Sequence, residues 1–264
     1  MEIGLIMKIA ITGKGGVGKT TLSSLLAHLY AQQDRQVLAI DADPAGNLAS
    51  ALGFPAALEE GIVPIAQMET LIYERTGAKP GASGGWFRLN PKVDDIPERF
   101  SAQHRGVRLL QLGTVKKGGG GCMCPESTLL RALVTHLLLA RKDVVILDME
   151  AGVEHLGRGT AGSVDAFIIV VEPGRRSLDT ALMVRDLALE IGVSRLYLVG
   201  NKVRNDSDRQ FITTRSPDLP VLGFLDQSAE AIEADLRGQA VFDLAPALVD
   251  QAREILTKLE EPPD

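Results

Sequence analysis

The run Gly13-Lys14-Gly15-Gly16-Val17-Gly18-Lys19-Thr20 constrains this chain more than any other feature. It follows a β-rich apolar stretch at 8–12 and precedes a helical pattern that puts Leu22, Leu25, Leu26 and Leu29 on one face. A strand, a turn of the form Gly-x-x-x-x-Gly-Lys-Thr and a helix make a phosphate loop. Its glycines let backbone N–H groups wrap a polyphosphate at the helix N-terminus, and Lys19 neutralises the β and γ phosphates. The Thr20 hydroxyl is a hard oxygen donor suited to Mg²⁺. Nucleotide contacts are expected over Gly13, Lys14, Gly15, Gly16, Val17, Gly18, Lys19, Thr20 and the adjoining Thr21. Taken alone, Lys14 stands where the pattern tolerates any residue and reads as a solvated charge.

Apolar Val/Ile/Leu runs recur at 8–12, 37–40, 107–112, 144–147, 166–171, 196–199 and 221–225, with helical periodicity between several of them, as at Leu130, Leu133, Val134 and Leu137. Buried runs alternating with helices predict an α/β fold, a doubly wound, mostly parallel sheet with helices on both faces and ligands at the C-terminal strand ends. With 264 residues and 45% hydrophobic side chains the chain can bury one large core, so a single domain is expected. Residues 1–6 precede a second methionine, Met7, and read as a dispensable extension. The Gly- and Pro-rich segment 76–105, with the sole tryptophan Trp86, reads as a surface insertion or partner-binding lid. Leu248, Ala252, Ile255 and Leu259 form a stripe that docks the C-terminal helix on the domain. A net charge of −6 gives no electrostatic reason for general binding to nucleic acid or an anionic membrane. No apolar run reaches the roughly 18 residues of a membrane span, and a cytoplasmic protein without membrane insertion is expected.

Two further groups carry chemistry. Asp41-Ala42-Asp43-Pro44 and Asp148-Met149-Glu150-Ala151-Gly152 each follow a predicted strand, so their carboxylates would bracket a metal-bound triphosphate. Each aspartate taken singly reads equally well as a cap or turn residue. Asn201-Lys202-Val203-Arg204 ends another strand where related GTPases place Asn-Lys-x-Asp. Arg204 offers only donors to guanine's donor edge, which favours ATP. The only cysteines, Cys122 and Cys124, follow four glycines, and their spacing is poor for a mutual disulfide. Soft thiolates suit Zn²⁺, Cu(I) or Ni²⁺, yet two sulfurs half fill a four-coordinate site, which a symmetric dimer would complete; two unremarkable thiols is the other reading.

The run Lys14–Thr20 resembles the deviant Walker A motif of the MinD and nitrogenase iron protein class of ATPases. That resemblance implies a homodimer in which Lys14 crosses the interface to the facing subunit's phosphates, as an arginine finger does. It also implies that Asp41-Ala42-Asp43-Pro44 is the first switch and Asp148-Met149-Glu150-Ala151-Gly152 the second, that Asp43 orients or deprotonates the attacking water, that Asp41 and Asp148 support Mg²⁺, and that Asn201 contacts adenine, with Leu225 and Asp226 lining the base pocket. The loop Gly118-Gly119-Gly120-Gly121-Cys122-Met123-Cys124-Pro125-Glu126, with 150–159, resembles the CooC-type family of nickel-insertion ATPases that mature carbon monoxide dehydrogenase. The likeness implies a Ni²⁺ or Zn²⁺ ion shared by Cys122 and Cys124 of two protomers, and carbon monoxide dehydrogenase as client. Relatives that load acetyl-CoA synthase share the layout. His155 either holds metal transiently or hydrogen-bonds within the second switch or across the dimer. Rival readings are a positioning ATPase, whose basic amphipathic tail is absent here, an iron–sulfur electron donor, whose cysteines lie far apart in sequence, and a nickel-handling GTPase.

Overall fold

The computed structural model describes residues 7–81, 86–114, 124–140 and 144–261. Eight strands form one sheet: β1 (Lys8–Thr12), β2 (Val37–Ala42), β3 (Ala102–His104), β4 (Val107–Gln111), β5 (Val144–Met149), β6 (Ala166–Val171), β7 (Leu196–Val203) and β8 (Val221–Asp226). Their order is β3-β4-β2-β5-β1-β6-β7-β8. Every pairing is parallel except β3 with β4. The seven runs predicted from sequence all appear as strands.

Every residue of β1, β2, β5 and β6 is buried, as a sheet covered on both faces requires. Strand residues alternate between the two faces. Ile9 and Ile11 of β1 pack with Leu22, Leu25 and Leu29 of the Lys19–Gln32 helix and with Ile255 and Leu259 of the Pro246–Glu260 helix. Ala10 joins the opposite cluster, which also holds Leu133 and Leu137 of the Pro125–Leu139 helix and Leu178 and Val184 of the Arg175–Ile191 helix. Each fully buried Leu or Ile contributes roughly 1.5–3 kcal/mol of transfer free energy. The predicted C-terminal stripe is buried at all four positions.

The reading of 76–105 as a surface insertion is corrected in its second half. Trp86 is fully exposed, but Val93 and Ile96 enter the core and Ala102–His104 adds an antiparallel edge strand. Arg105 (φ 48°) and Gly106 (φ 79°) make the two-residue turn between β3 and β4, the backbone that a tight hairpin demands. Among the described residues no helix is long and apolar enough to cross a membrane.

Candidate nucleotide-binding site

Strand β1 lies between β5 and β6, where the chain's winding reverses, so its C-terminal end opens onto the crevice in which doubly wound sheets bind ligands. The loop leaving it has a backbone that only glycine adopts easily. Gly13 (φ 150°) passes so close to Val170 that a Cβ would sit 2.4 Å from its carbonyl oxygen. Gly18 (φ 95°) would bring a Cβ within 2.0 Å of the Asn201 amide nitrogen. Around Gly15 and Gly16, by contrast, a Cβ would meet nothing within 4 Å, so this rim faces open space.

Two neighbours hold the loop from behind. Asn201 donates Nδ2–H to the Val17 carbonyl at 2.8 Å and accepts the Lys202 N–H at 2.8 Å. Lys202, in left-handed backbone (φ 56°), donates to the Gly16 carbonyl at 2.6 Å and lies 3.8 Å from Glu172. The Asn-Lys pair therefore serves the loop's shape, and the buried Asn201 amide is engaged with Val17. Replacing Asn201 with alanine would strand a buried carbonyl, at a cost of roughly 1–3 kcal/mol. Thermal unfolding should show a drop of several degrees, whereas a residue that touched only the base would leave the melting temperature unchanged.

The carboxylates converge as the strand ends predict. Asp41 and Asp148 are partners in the β2–β5 register, at 1% and 0% exposure. Asp148 accepts from the Thr20 hydroxyl at 2.7 Å and from Ser23 Oγ at 3.1 Å. Asp41 accepts the Leu48 N–H at 3.0 Å and the Asp43 N–H at 3.2 Å. Burial raises the Asp148 pKa to about 7; the Thr20 hydrogen bond opposes this and the Asp41 charge adds to it. Burial likewise raises Asp41 to about 6, against the hydrogen bonds from Leu48 and Asp43. Two desolvated carboxylates beside a threonine hydroxyl form an all-oxygen donor set that suits Mg²⁺. Bound there with a triphosphate, the ion would supply charge neutralisation at the phosphate oxygens.

Lys19, 6% exposed, places its ammonium 3.4 Å from Asp43, whose other oxygen accepts the Ala45 N–H at 3.0 Å. Lys14 lies on the half-buried rim, and its ammonium has no partner among the described residues. Thr12 pins the loop to the segment that follows β5, donating to the Glu150 carbonyl at 2.7 Å and accepting the Gly152 N–H at 3.2 Å. Sequence reasoning missed Thr12, Ser23 and Lys202; Ser23, one helical turn after Lys19, was the most findable. His155 is drawn below its ordinary pKa by burial, opposed by Glu150, a hydrogen bond to the Ala42 carbonyl, Glu154 and Asp43.

The expected base-pocket pair is divided. Leu225 turns its side chain fully into the core, which leaves only its backbone to line a base pocket. Asp226 pairs with Arg209 at 2.7 Å and accepts from Gln251 Nε2 at 2.8 Å. Arg204 is held by Asp208, at 2.9 and 3.0 Å. Cys122 lies outside the described residues. Cys124, a buried free thiol, is the N-cap of the Pro125–Leu139 helix, with Sγ 3.5 Å from the Ser127 N–H and 3.1 Å from its hydroxyl. Among the described residues no three His, Cys, Asp or Glu side chains gather as a metal site.

A phosphate loop at the switch point of a parallel sheet, faced by carboxylates from two neighbouring strands, defines a P-loop nucleotide hydrolase. The profile of the CobQ/CobB/MinD/ParA nucleotide binding domain matches residues 8–241. The chain is 46% identical over 255 residues to the carbon monoxide dehydrogenase accessory protein CooC of Rhodospirillum rubrum, covering 97% of each chain. It is also 46% identical over 237 residues to an uncharacterized ATP-binding protein of Methanocaldococcus jannaschii, covering 89% of this chain and 91% of that one. Among solved structures, a chain of the MinC:MinD cell division protein complex of Aquifex aeolicus matches with a TM-score of 0.67 at 21% identity over 98% of both chains, a likeness of fold alone. The chain belongs to the CobQ/CobB/MinD/ParA nucleotide-binding family, and within it to the CooC family, and it is an ATPase.

Proposed function

We propose that this ATPase inserts nickel into carbon monoxide dehydrogenase in the cytoplasm, through a nucleotide-driven homodimer that clasps the metal between two thiol loops. The observation that carries the reading is the near full-length identity to a carbon monoxide dehydrogenase accessory protein. Lys14 supports the dimer, being the one loop lysine without an intramolecular partner among the described residues. ATP binds with its β and γ phosphates at Lys19, and Thr20, Asp41 and Asp148 hold Mg²⁺. Lys14 reaches the phosphates of the facing subunit, and Asp43 takes up the attacking water. Cys122 and Cys124 of both chains hold the cargo ion, Ni²⁺ or Zn²⁺, and hydrolysis opens the dimer and releases it.

The test is metal stoichiometry and mass in solution. With a non-hydrolysable ATP analogue the protein should run as a dimer carrying one metal per two chains; with ADP it should run as a monomer. Cys122→Ser or Cys124→Ser should abolish the dimer's metal while leaving nucleotide binding unchanged, and metal retained at wild-type affinity would sink the thiol site. Nickel-free carbon monoxide dehydrogenase supplied with Ni²⁺, ATP and this protein should gain activity; activation of nickel-free acetyl-CoA synthase alone would reassign the client.

A further inference from the structure

Thr12 ends strand β1 and is fully buried. Its hydroxyl donates to the Glu150 carbonyl at 2.7 Å and accepts the Gly152 N–H at 3.2 Å, with the Gly152 carbonyl 3.3 Å away. A hydroxyl can donate and accept at once, so this one side chain satisfies both polar ends of the turn 150–152. The turn has little room to take another shape. Gly152 stands at φ 148°, and a Cβ there would come within 2.1 Å of the Glu154 carboxylate. The anchor itself is fixed, because Gly13, the next residue, lies against the Val170 carbonyl. Beyond the turn, His155 hydrogen-bonds to the Ala42 carbonyl, one residue before Asp43. A chain of bonds thus runs from the start of the phosphate loop, through 150–155, to the backbone beside Asp43.

We propose that Thr12 is a positioning residue for hydrolysis: its hydroxyl fixes the turn 150–152 against the phosphate loop and, through that segment, keeps Asp43 where the attacking water is met. This rests on the role given to Asp43 above. The Thr12 hydroxyl is spent on backbone and touches neither phosphate nor water. Its loss therefore acts on geometry, and a displacement of about 1 Å at a reacting group costs up to roughly a hundredfold in rate. Nucleotide affinity, set by Lys19 and the loop N–H groups, is left alone.

The experiment compares wild type, Thr12→Val and Thr12→Ser, each also with Asp43→Asn, by single-turnover and steady-state hydrolysis, fluorescent-ADP titration and amide exchange. Valine keeps the shape and strand preference of threonine and removes only the hydroxyl; serine keeps the hydroxyl. Thr12→Val should lower kcat roughly ten- to a hundredfold and speed exchange of the 150–155 amides. Its ADP affinity should stay within a few-fold of wild type, which also reports an intact fold. Thr12→Ser should return kcat to within a few-fold of wild type. With Asp43→Asn, adding Thr12→Val should cost no further rate, because both changes strike one step. Wild-type kcat in Thr12→Val, serine as slow as valine, or ADP affinity lost in step with rate each overturns the proposal. An equal further loss with Asp43→Asn overturns the route through Asp43. A wild-type rate in Asp43→Asn alone overturns the role of Asp43 itself.

Discussion

Replacing Lys14 with glutamine should lower ATP hydrolysis by roughly three orders of magnitude, the scale of a removed arginine finger, while nucleotide affinity stays within a few-fold of wild type. The three lysines around the loop are already sorted by their contacts. Lys19 is buried against Asp43, inside its own site. Lys202 is spent on the Gly16 carbonyl. Lys14 alone stands at the rim without a partner among the described residues, beside Gly15 and Gly16, where space is open. A lysine serving its own subunit's phosphates would contribute to ground-state binding, so its loss would raise the dissociation constant. One arriving from the partner acts when the dimer closes, so its loss shows in kcat. Fluorescent-nucleotide titration beside steady-state hydrolysis separates the two. Affinity falling in parallel with rate would make Lys14 an ordinary phosphate ligand and remove the main support for the composite site.

How far the sequence reaches depends on whether the signal is local. The phosphate loop was legible because one contiguous run encodes strand, turn and helix, and the buried parallel strands because each must be apolar on both faces. Strand β3 was not legible. It is three residues long, half exposed, and enters through a hairpin whose first turn residue is Arg105, a type rarely found at φ 48°. The Asp41–Asp148 pair was anticipated from strand ends, since register neighbours on parallel strands deliver their C-terminal residues to one place. Asn201 was tied to adenine through the family resemblance; its bond to the Val17 carbonyl, 184 residues away in sequence, is one that no local pattern announces. The direction of the Leu225 side chain was hidden for a related reason: neighbouring strand residues face opposite sides, and the side that Leu225 takes is set by its pairing with β7.

Asp43→Asn should be nearly as severe as the Lys14 change and differ from it in kind. Hydrolysis should fall roughly 10²- to 10⁴-fold, the range for a lost general base. Asparagine keeps an oxygen for the Ala45 N–H, so the switch backbone can hold its shape. What disappears is the charge 3.4 Å from Lys19. With that competitor gone, Lys19 is freer to meet phosphate, and ATP should bind as tightly as in wild type or more so. The variant should then accumulate as a closed dimer on ATP itself, where wild type needs the non-hydrolysable analogue. Affinity lost in step with rate would instead make Asp43 a residue that shapes the loop. Mixing the two inactive variants tests both assignments at once. In a mixed dimer, the site on the Lys14→Gln subunit has its own Asp43 and receives Lys14 from the Asp43→Asn partner. Random pairing makes half the dimers mixed, each with one working site in two, so about a quarter of the wild-type rate should return. If both residues act within their own subunit, every site in the mixture lacks one of them and no activity returns.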